Sequence, residues 1–137
     1  MKEYTNDALI ALALEARKNA HCPYSGIAVG AALLCKNGEV FLGANMESAS
    51  FSPTLCAERV AFGAALAKGH RDFVRIAVVG GKKDESPETL FPPCGVCRQV
   101  MAEFCEGDFE ILLSDGKATR VLTLDALLPH RFGKEYL

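Results

Sequence analysis

Tryptophan is absent from this sequence, and aromatic residues make up only 8% of its 137 positions. A protein that threads single-stranded nucleic acid needs stacking platforms and a basic channel. The absence of Trp and the charge balance speak against one: 15 Lys and Arg face 17 Asp and Glu, a formal net charge of -2, with no basic block or tail. That balance argues against nucleic acid as the main partner. Long hydrophobic runs are also missing, so no segment reads as a membrane span. The opening stretch MKEYTNDALIALALEARKNA is interrupted by acids and has no cleavage-site pattern, so it does not read as a signal peptide. A cytoplasmic location with no membrane partner is the expectation. Histidine is scarce, and His21, His70 and His130 have no ligand spacing. The glycines and lysines of VGGKKDES lack the phosphate-loop pattern and read as a strand end and loop.

What is present is an ordinary globular composition, half apolar and about a quarter charged. The length suits one domain over residues 1–137, with room for a modest core. Six cysteines are many for a chain of this kind. In a reducing compartment they are metal ligands, nucleophiles or small core residues before they are disulfides. Cys22, Cys35 and Cys105 stand singly in apolar or pre-turn contexts and are expected to pack. Cys94 and Cys97 form a CxxC after Pro92-Pro93, and Cys56 stands apart in TLCAERVAFGAALAKG.

The periodicity places these cysteines. Leu9, Leu12, Ala13 and Ala16 recur at helical spacing, which predicts a helix over 5–19 with Thr5 or Asn6 as its N-cap. Two apolar runs flank Asn37-Gly38, a hairpin signal. TLCAERVAFGAALAKGH predicts a second helix closed by Gly69. FVRIAVVGG is β-branched and short, as in a buried strand. KKDESPETLFPP reads as a polar loop, CGVCRQVMAEFC as a third helix and FEILLSDG as a strand. ATRVLTLDALLPHRFGKEYL gives a short strand, a short helix and a tail. The order α-β-β-α-β-α-β-β-α predicts an α/β fold, a three-layer α/β/α sandwich around a mixed, five-stranded sheet.

Cys56 and the CxxC thus fall at the starts of two helices. Helix N-termini carry free N–H groups and partial positive charge, which lower thiol pKa values. Three thiolates fit Zn²⁺, one per chain, and three protein ligands leave a fourth position for water, as catalytic sites do. Arg59 is the candidate to hydrogen-bond the ligand sulfurs and draw charge off them. Glu58 follows Cys56 by two positions, too near to be an easy fourth ligand. A carboxylate there can take a proton from a water and return it to a substrate nitrogen.

CAE followed by PCGVCRQV resembles the zinc-dependent cytidine deaminases, a class with a Cys-x-Glu and a Pro-Cys-x-x-Cys signature and a glutamate that is not a ligand. PYSGIAVGAAL, GANMESAS and LLPHRFG resemble segments of the small members of that family, so the likeness runs nearly end to end. The resemblance implies that Cys56, Cys94 and Cys97 bind zinc. It makes Glu58 the proton shuttle while water adds at C4 of the base. It implies a cytoplasmic enzyme of pyrimidine salvage that takes cytidine and 2′-deoxycytidine to uridine, deoxyuridine and ammonia. Asn45 and Glu47 would bind a ribose hydroxyl; two apart on a strand end, they point to one side. The Ala57 backbone would face the pyrimidine, and Phe132 would reach the base held by a neighbouring subunit of a homotetramer. The sequence departs from the family where Ile27 and Phe51 stand in place of a common Phe and Tyr, and Ser48 in place of a frequent Asn. Those departures bear on the preferred pyrimidine, not on the zinc.

Three other readings stay open at this level. One keeps the chemistry and changes the substrate to an aminated pyrimidine antibiotic or another base analogue. The second is a polynucleotide deaminase, and the third a structural zinc module, which would need a fourth protein ligand.

Overall fold

The computed structural model describes residues 3–137. The first helix, α1, spans Asn6–Arg17 and is capped by Thr5, whose hydroxyl accepts from the Ala8 amide. Strands β1 (Ile27–Cys35) and β2 (Val40–Ala44) form the expected antiparallel hairpin around Asn37-Gly38. Helix α2 runs Ala57–Ala67. Gly69 ends its turn at φ +94°, a left-handed conformation that a side chain would disfavour. Strand β3 (Phe73–Lys82) leads through an irregular loop to α3 (Gly95–Phe104) and β4 (Glu110–Ser114). A tight turn then gives β5 (Thr119–Thr123), a four-residue helix α4 (Leu124–Leu127) and a final 3₁₀ turn, Lys134–Tyr136.

The five strands lie in the order β2-β1-β3-β4-β5, and only the β3–β4 pair is parallel. That pair needs a long crossover, which α3 supplies. Side-chain alternation then sorts the layers. Val29, Ala31, Leu33 and Cys35 of β1 pack with Ala57, Ala61, Phe62 and Ala65 of α2 and with Met101 of α3. The alternate residues Ala32 and Leu34 face Leu9, Ile10 and Ala13 of α1. The α/β/α sandwich with a mixed five-stranded sheet is therefore as expected. No helix of the described residues is long and apolar enough to cross a membrane.

Two features fix the ends that matter for the site. A Cβ on Gly43 of β2 would stand 2.1 Å from the Ala57 carbonyl, so the start of α2 rests on backbone that only glycine leaves bare. Arg17, buried at the end of α1, donates to three carbonyls: Ala28 at 3.0 Å, Lys82 at 2.8 Å and Glu85 at 2.8 Å. It ties the beginning of β1 to the end of β3. The other thiols pack as expected: Cys22 and Cys35 are buried, and Cys105 lies half-buried against the core at the end of α3. Burial pushes the Cys35 thiol up to about 11 and that of Cys105 to about 12, so both stay protonated.

Candidate active site

The predicted helices two and three begin slightly later than the periodicity suggested, and the difference is chemical. Cys56 and Cys94 are not inside the helices but are the N-cap residues of α2 and α3, in extended conformation, and neither side chain caps its own helix. Each thiol is therefore free to face the other at the end of a helix whose first N–H groups have no intrahelical partner. Cys97 follows one turn into α3 and is buried.

The three sulfurs converge. Cys56 Sγ lies 3.7 Å from Cys94 Sγ, which lies 3.5 Å from Cys97 Sγ, and all three fall within 4.8 Å of one another. A tetrahedral zinc with Zn–S bonds of about 2.3 Å separates its sulfurs by about 3.8 Å. The trio thus fits three corners of such a centre with little movement. Among the described residues it is the one group of His, Cys, Asp and Glu side chains placed to hold a metal ion, and Glu58 is not a member.

The electrostatics differ from thiol to thiol. Cys56 is pulled down to about 5, chiefly by the hydrogen bond from the Cys97 thiol and then by those from Arg59 and Cys94, against the cost of burial. Cys97, which holds the proton it donates to Cys56 and is itself desolvated, is shifted upward. The Arg59 guanidinium reaches Cys56 Sγ at 3.7 Å and the Thr54 carbonyl at 3.4 Å through Nη2. Its Nε is buried without a partner. Glu58 is 3% exposed in the first turn of α2. Its carboxyl is raised to about 7, mainly by burial, with the Cys56 charge adding to it. A carboxyl there can hold or release a proton near neutrality.

A second group of residues lies beside the cluster. Met46 pairs with Leu55 through two backbone hydrogen bonds, 3.0 and 2.9 Å, and bridges to His21 on its other side. This lays residues 45–47 alongside the entry to α2. Asn45 is buried, and its amide bonds the start of β1: Oδ1 accepts from the Val29 amide at 2.8 Å and Nδ2 donates to the Ile27 carbonyl at 2.8 Å. Glu47 points to the turn before β1. Its Oε1 accepts from the Tyr24 and Ser25 amides, at 3.0 and 3.1 Å, and its Oε2 from the Ser25 hydroxyl at 2.5 Å. These donors, the Ser25 hydroxyl first, hold the Glu47 carboxyl below the ordinary range. Tyr24, Ser25, Glu47, Ser48, Phe51 and Thr54 line a shallow pocket of about 390 Å³. Thr54 joins the two groups: its hydroxyl accepts from the Ser48 amide at 3.1 Å, and its carbonyl accepts from Arg59.

The remaining predicted site residues are spread around this centre. Ala57 is fully buried, with its carbonyl against Gly43. Ile27 is half-buried at the first position of β1 and packs on the core. Phe51 is 80% exposed at the pocket rim. Phe132 is not brought into the pocket of its own chain; it is exposed and stacks on Tyr136 at 5.7 Å, while its carbonyl accepts from Gln99 of α3. Sequence reasoning assigned no role to Ser25, Thr54 or Arg17. Ser25 carried a faint signal, a hydroxyl residue before a turn glycine. Arg17 carried none, because a basic residue ending a helix is ordinary.

Three convergent thiols set at paired helix starts on an α/β/α scaffold can hold a zinc ion through three protein ligands, with a buried carboxyl in the first turn of the helix that Cys56 caps. The comparisons agree and narrow it. The family model of the cytidine and deoxycytidylate deaminase zinc-binding region matches residues 3–112. The chain is 47% identical to a cytidine deaminase of Halalkalibacterium halodurans over 128 residues, covering 93% of both chains. It is 44% identical to a cytidine deaminase of Sporosarcina psychrophila over 132 residues, 96% of this chain and 93% of that one. The crystal structure of cytidine deaminase from Burkholderia pseudomallei matches with a TM-score of 0.87 at 43% identity, covering 94% of this chain and all of the other. The chain belongs to the cytidine and deoxycytidylate deaminase family; it is an enzyme of that family, with one zinc per chain.

Proposed function

We propose that this enzyme hydrolyses cytidine and 2′-deoxycytidine to uridine and 2′-deoxyuridine, releasing ammonia, with Cys56, Cys94 and Cys97 holding the zinc. The observation that carries this reading is Glu58, a buried carboxyl in the first turn of α2 beside the three convergent thiols. Bound there, zinc supplies Lewis-acid activation of a water molecule at neutral pH. The chain's own residues do the rest. The Glu58 carboxylate accepts one proton from the water and delivers it to N3 of the pyrimidine, which makes C4 electrophilic. The water oxygen bonds to C4, and Glu58 carries its remaining proton to the exocyclic nitrogen. The C4–N4 bond breaks, ammonia leaves, and N3 keeps its proton in the product. Arg59 lowers the charge on Cys56 through its 3.7 Å contact and braces Thr54 beneath the pocket.

Recognition of the sugar falls to Asn45 and Glu47. Each retains hydrogen-bonding capacity after its contacts to the β1 entry: Asn45 one N–H and one lone pair, Glu47 a lone pair on Oε2. The Ala57 backbone faces the base, Ile27 forms an apolar wall without aromatic stacking, and Phe51 covers the rim. The whole chain acts as one catalytic domain, and four copies assemble so that the exposed Phe132 reaches a neighbour's pocket. The setting is pyrimidine salvage in the cytoplasm.

The test is an ultraviolet assay of the purified protein with cytidine, deoxycytidine, cytosine, CMP and a short cytosine-containing oligonucleotide, with and without a strong chelator. Turnover of both nucleosides alone, abolished by the chelator, is the expected result. Turnover of none of them by zinc-loaded protein moves the substrate to a base analogue, and turnover of the oligonucleotide overturns the nucleoside reading. Light scattering at micromolar concentration tests the tetramer.

A further inference from the structure

We infer that Ser25 is a positioning residue for substrate binding, acting through Glu47; this rests on the reading of Glu47 as a sugar contact. Ser25 sits in the turn before β1 and makes three hydrogen bonds to two partners. Its hydroxyl donates to Glu47 Oε2 at 2.5 Å and accepts from the Ile27 amide at 3.0 Å. Its own amide donates to Glu47 Oε1 at 3.1 Å. The hydroxyl has one proton, and the Ile27 amide orients the oxygen so that this proton points at the carboxylate.

Counting lone pairs shows what this does. Glu47 Oε1 accepts two amide hydrogens and is filled. Oε2 accepts the Ser25 hydroxyl and retains a single free lone pair. The carboxylate is therefore held by three hydrogen bonds with one acceptor position left, and its residue lines the pocket together with Ser48, Phe51 and Thr54. Remove the Ser25 hydroxyl and Oε2 has two free positions and one fewer restraint. A glutamate side chain that must be ordered at the moment of binding weakens that binding without touching the proton transfers at the other end of the site. The same hydroxyl ties the carboxylate to Ile27, so the sugar contact and the base wall share one anchor.

The experiment is a double-mutant cycle of Ser25→Ala and Glu47→Gln, with Ser25→Thr as the conservative variant. It reads kcat and KM for cytidine, zinc content and melting temperature. Ser25→Ala is expected to raise KM by about 10-fold with kcat within about twofold, the scale of one charge-assisted hydrogen bond. Ser25→Thr restores KM, and Ser25→Ala adds little to Glu47→Gln. A raised KM in Glu47→Gln beside an unchanged KM in Ser25→Ala overturns the role of Ser25 and leaves Glu47 as a sugar contact. An unchanged KM in Glu47→Gln itself overturns the sugar reading instead. Equal effects of Ser25→Ala in both backgrounds, or loss of zinc and melting temperature along with KM, make Ser25 a fold residue and also overturn the inference.

Discussion

Glu58 is 3% exposed and Phe51 is 80% exposed, yet Thr54 and Arg59 connect their segments. The zinc half of the site is built from secondary structure. Two helix starts carry the thiols, the first turn of α2 carries the acid, and the close approach of Ala57 to Gly43 sets the depth of that helix. The half proposed for recognition is built from loop hydrogen bonds, where Glu47 and Ser25 hold each other at the surface and Asn45 stitches the β1 entry. Chemistry that needs a shifted acid requires desolvation, and desolvation requires a core. Recognition of a hydrated sugar needs oriented donors and acceptors, which a turn can supply. The two halves should therefore fail differently: damage to the first lowers kcat or zinc content, and damage to the second raises KM.

The sharpest break comes from Cys97→Ser. Losing a buried thiolate of the trio is expected to drop bound zinc well below one per chain and take turnover below detection, checked by metal analysis beside the ultraviolet assay. Glu58→Gln separates metal from proton transfer. Zinc content should hold while kcat falls by about 10⁴-fold, the upper range for a general acid–base. Wild-type turnover in that variant would end the proposed mechanism. Arg59→Gln tests the link between the halves: zinc affinity is expected to fall by about 10- to 100-fold in a chelator competition, the usual cost of losing a partner of a metal ligand. Glu47→Gln leaves zinc untouched and should raise KM for cytidine by about 10-fold or more, as expected for a lost hydrogen bond to a charged group; a fall in kcat instead would merge the two halves into one. The smallest effect belongs to Phe51→Ala. A side chain this exposed should change KM by about twofold in the isolated chain. A much larger change accompanied by dissociation in light scattering would place Phe51 under a neighbouring subunit.

The legible part of the site was its chemistry. The placement of Cys56, Glu58 and the Cys94/Cys97 pair at two helix starts was legible because helix starts are local, written by caps, spacing and the Pro92-Pro93 break. The hairpin at Asn37-Gly38 and the helix stop at Gly69 were legible for the same reason. The predicted starts of α2 and α3 ran into their caps, since periodicity does not distinguish an N-cap from a first turn. The half proposed for recognition was only partly legible. Asn45 and Glu47 were chosen by resemblance, but nothing local says that their partners lie about 20 residues upstream, at Ser25, Ile27 and Val29.

By itself, then, the amino-acid sequence determined the element order, the layers and the placement of Cys56, Glu58, Cys94 and Cys97 at two helix starts, because each depends on neighbours within a few residues. Only the tertiary structure decided the distances: the 3.5 and 3.7 Å spacings of the sulfurs, the buried Arg17 gathering three carbonyls, and the Met46–Leu55 pairing that lays residues 45–47 beside the entry to α2. Those contacts join residues far apart in the chain. They are fixed by the sheet order β2-β1-β3-β4-β5 and by the close approach at Gly43, where packing rather than local preference sets which groups meet.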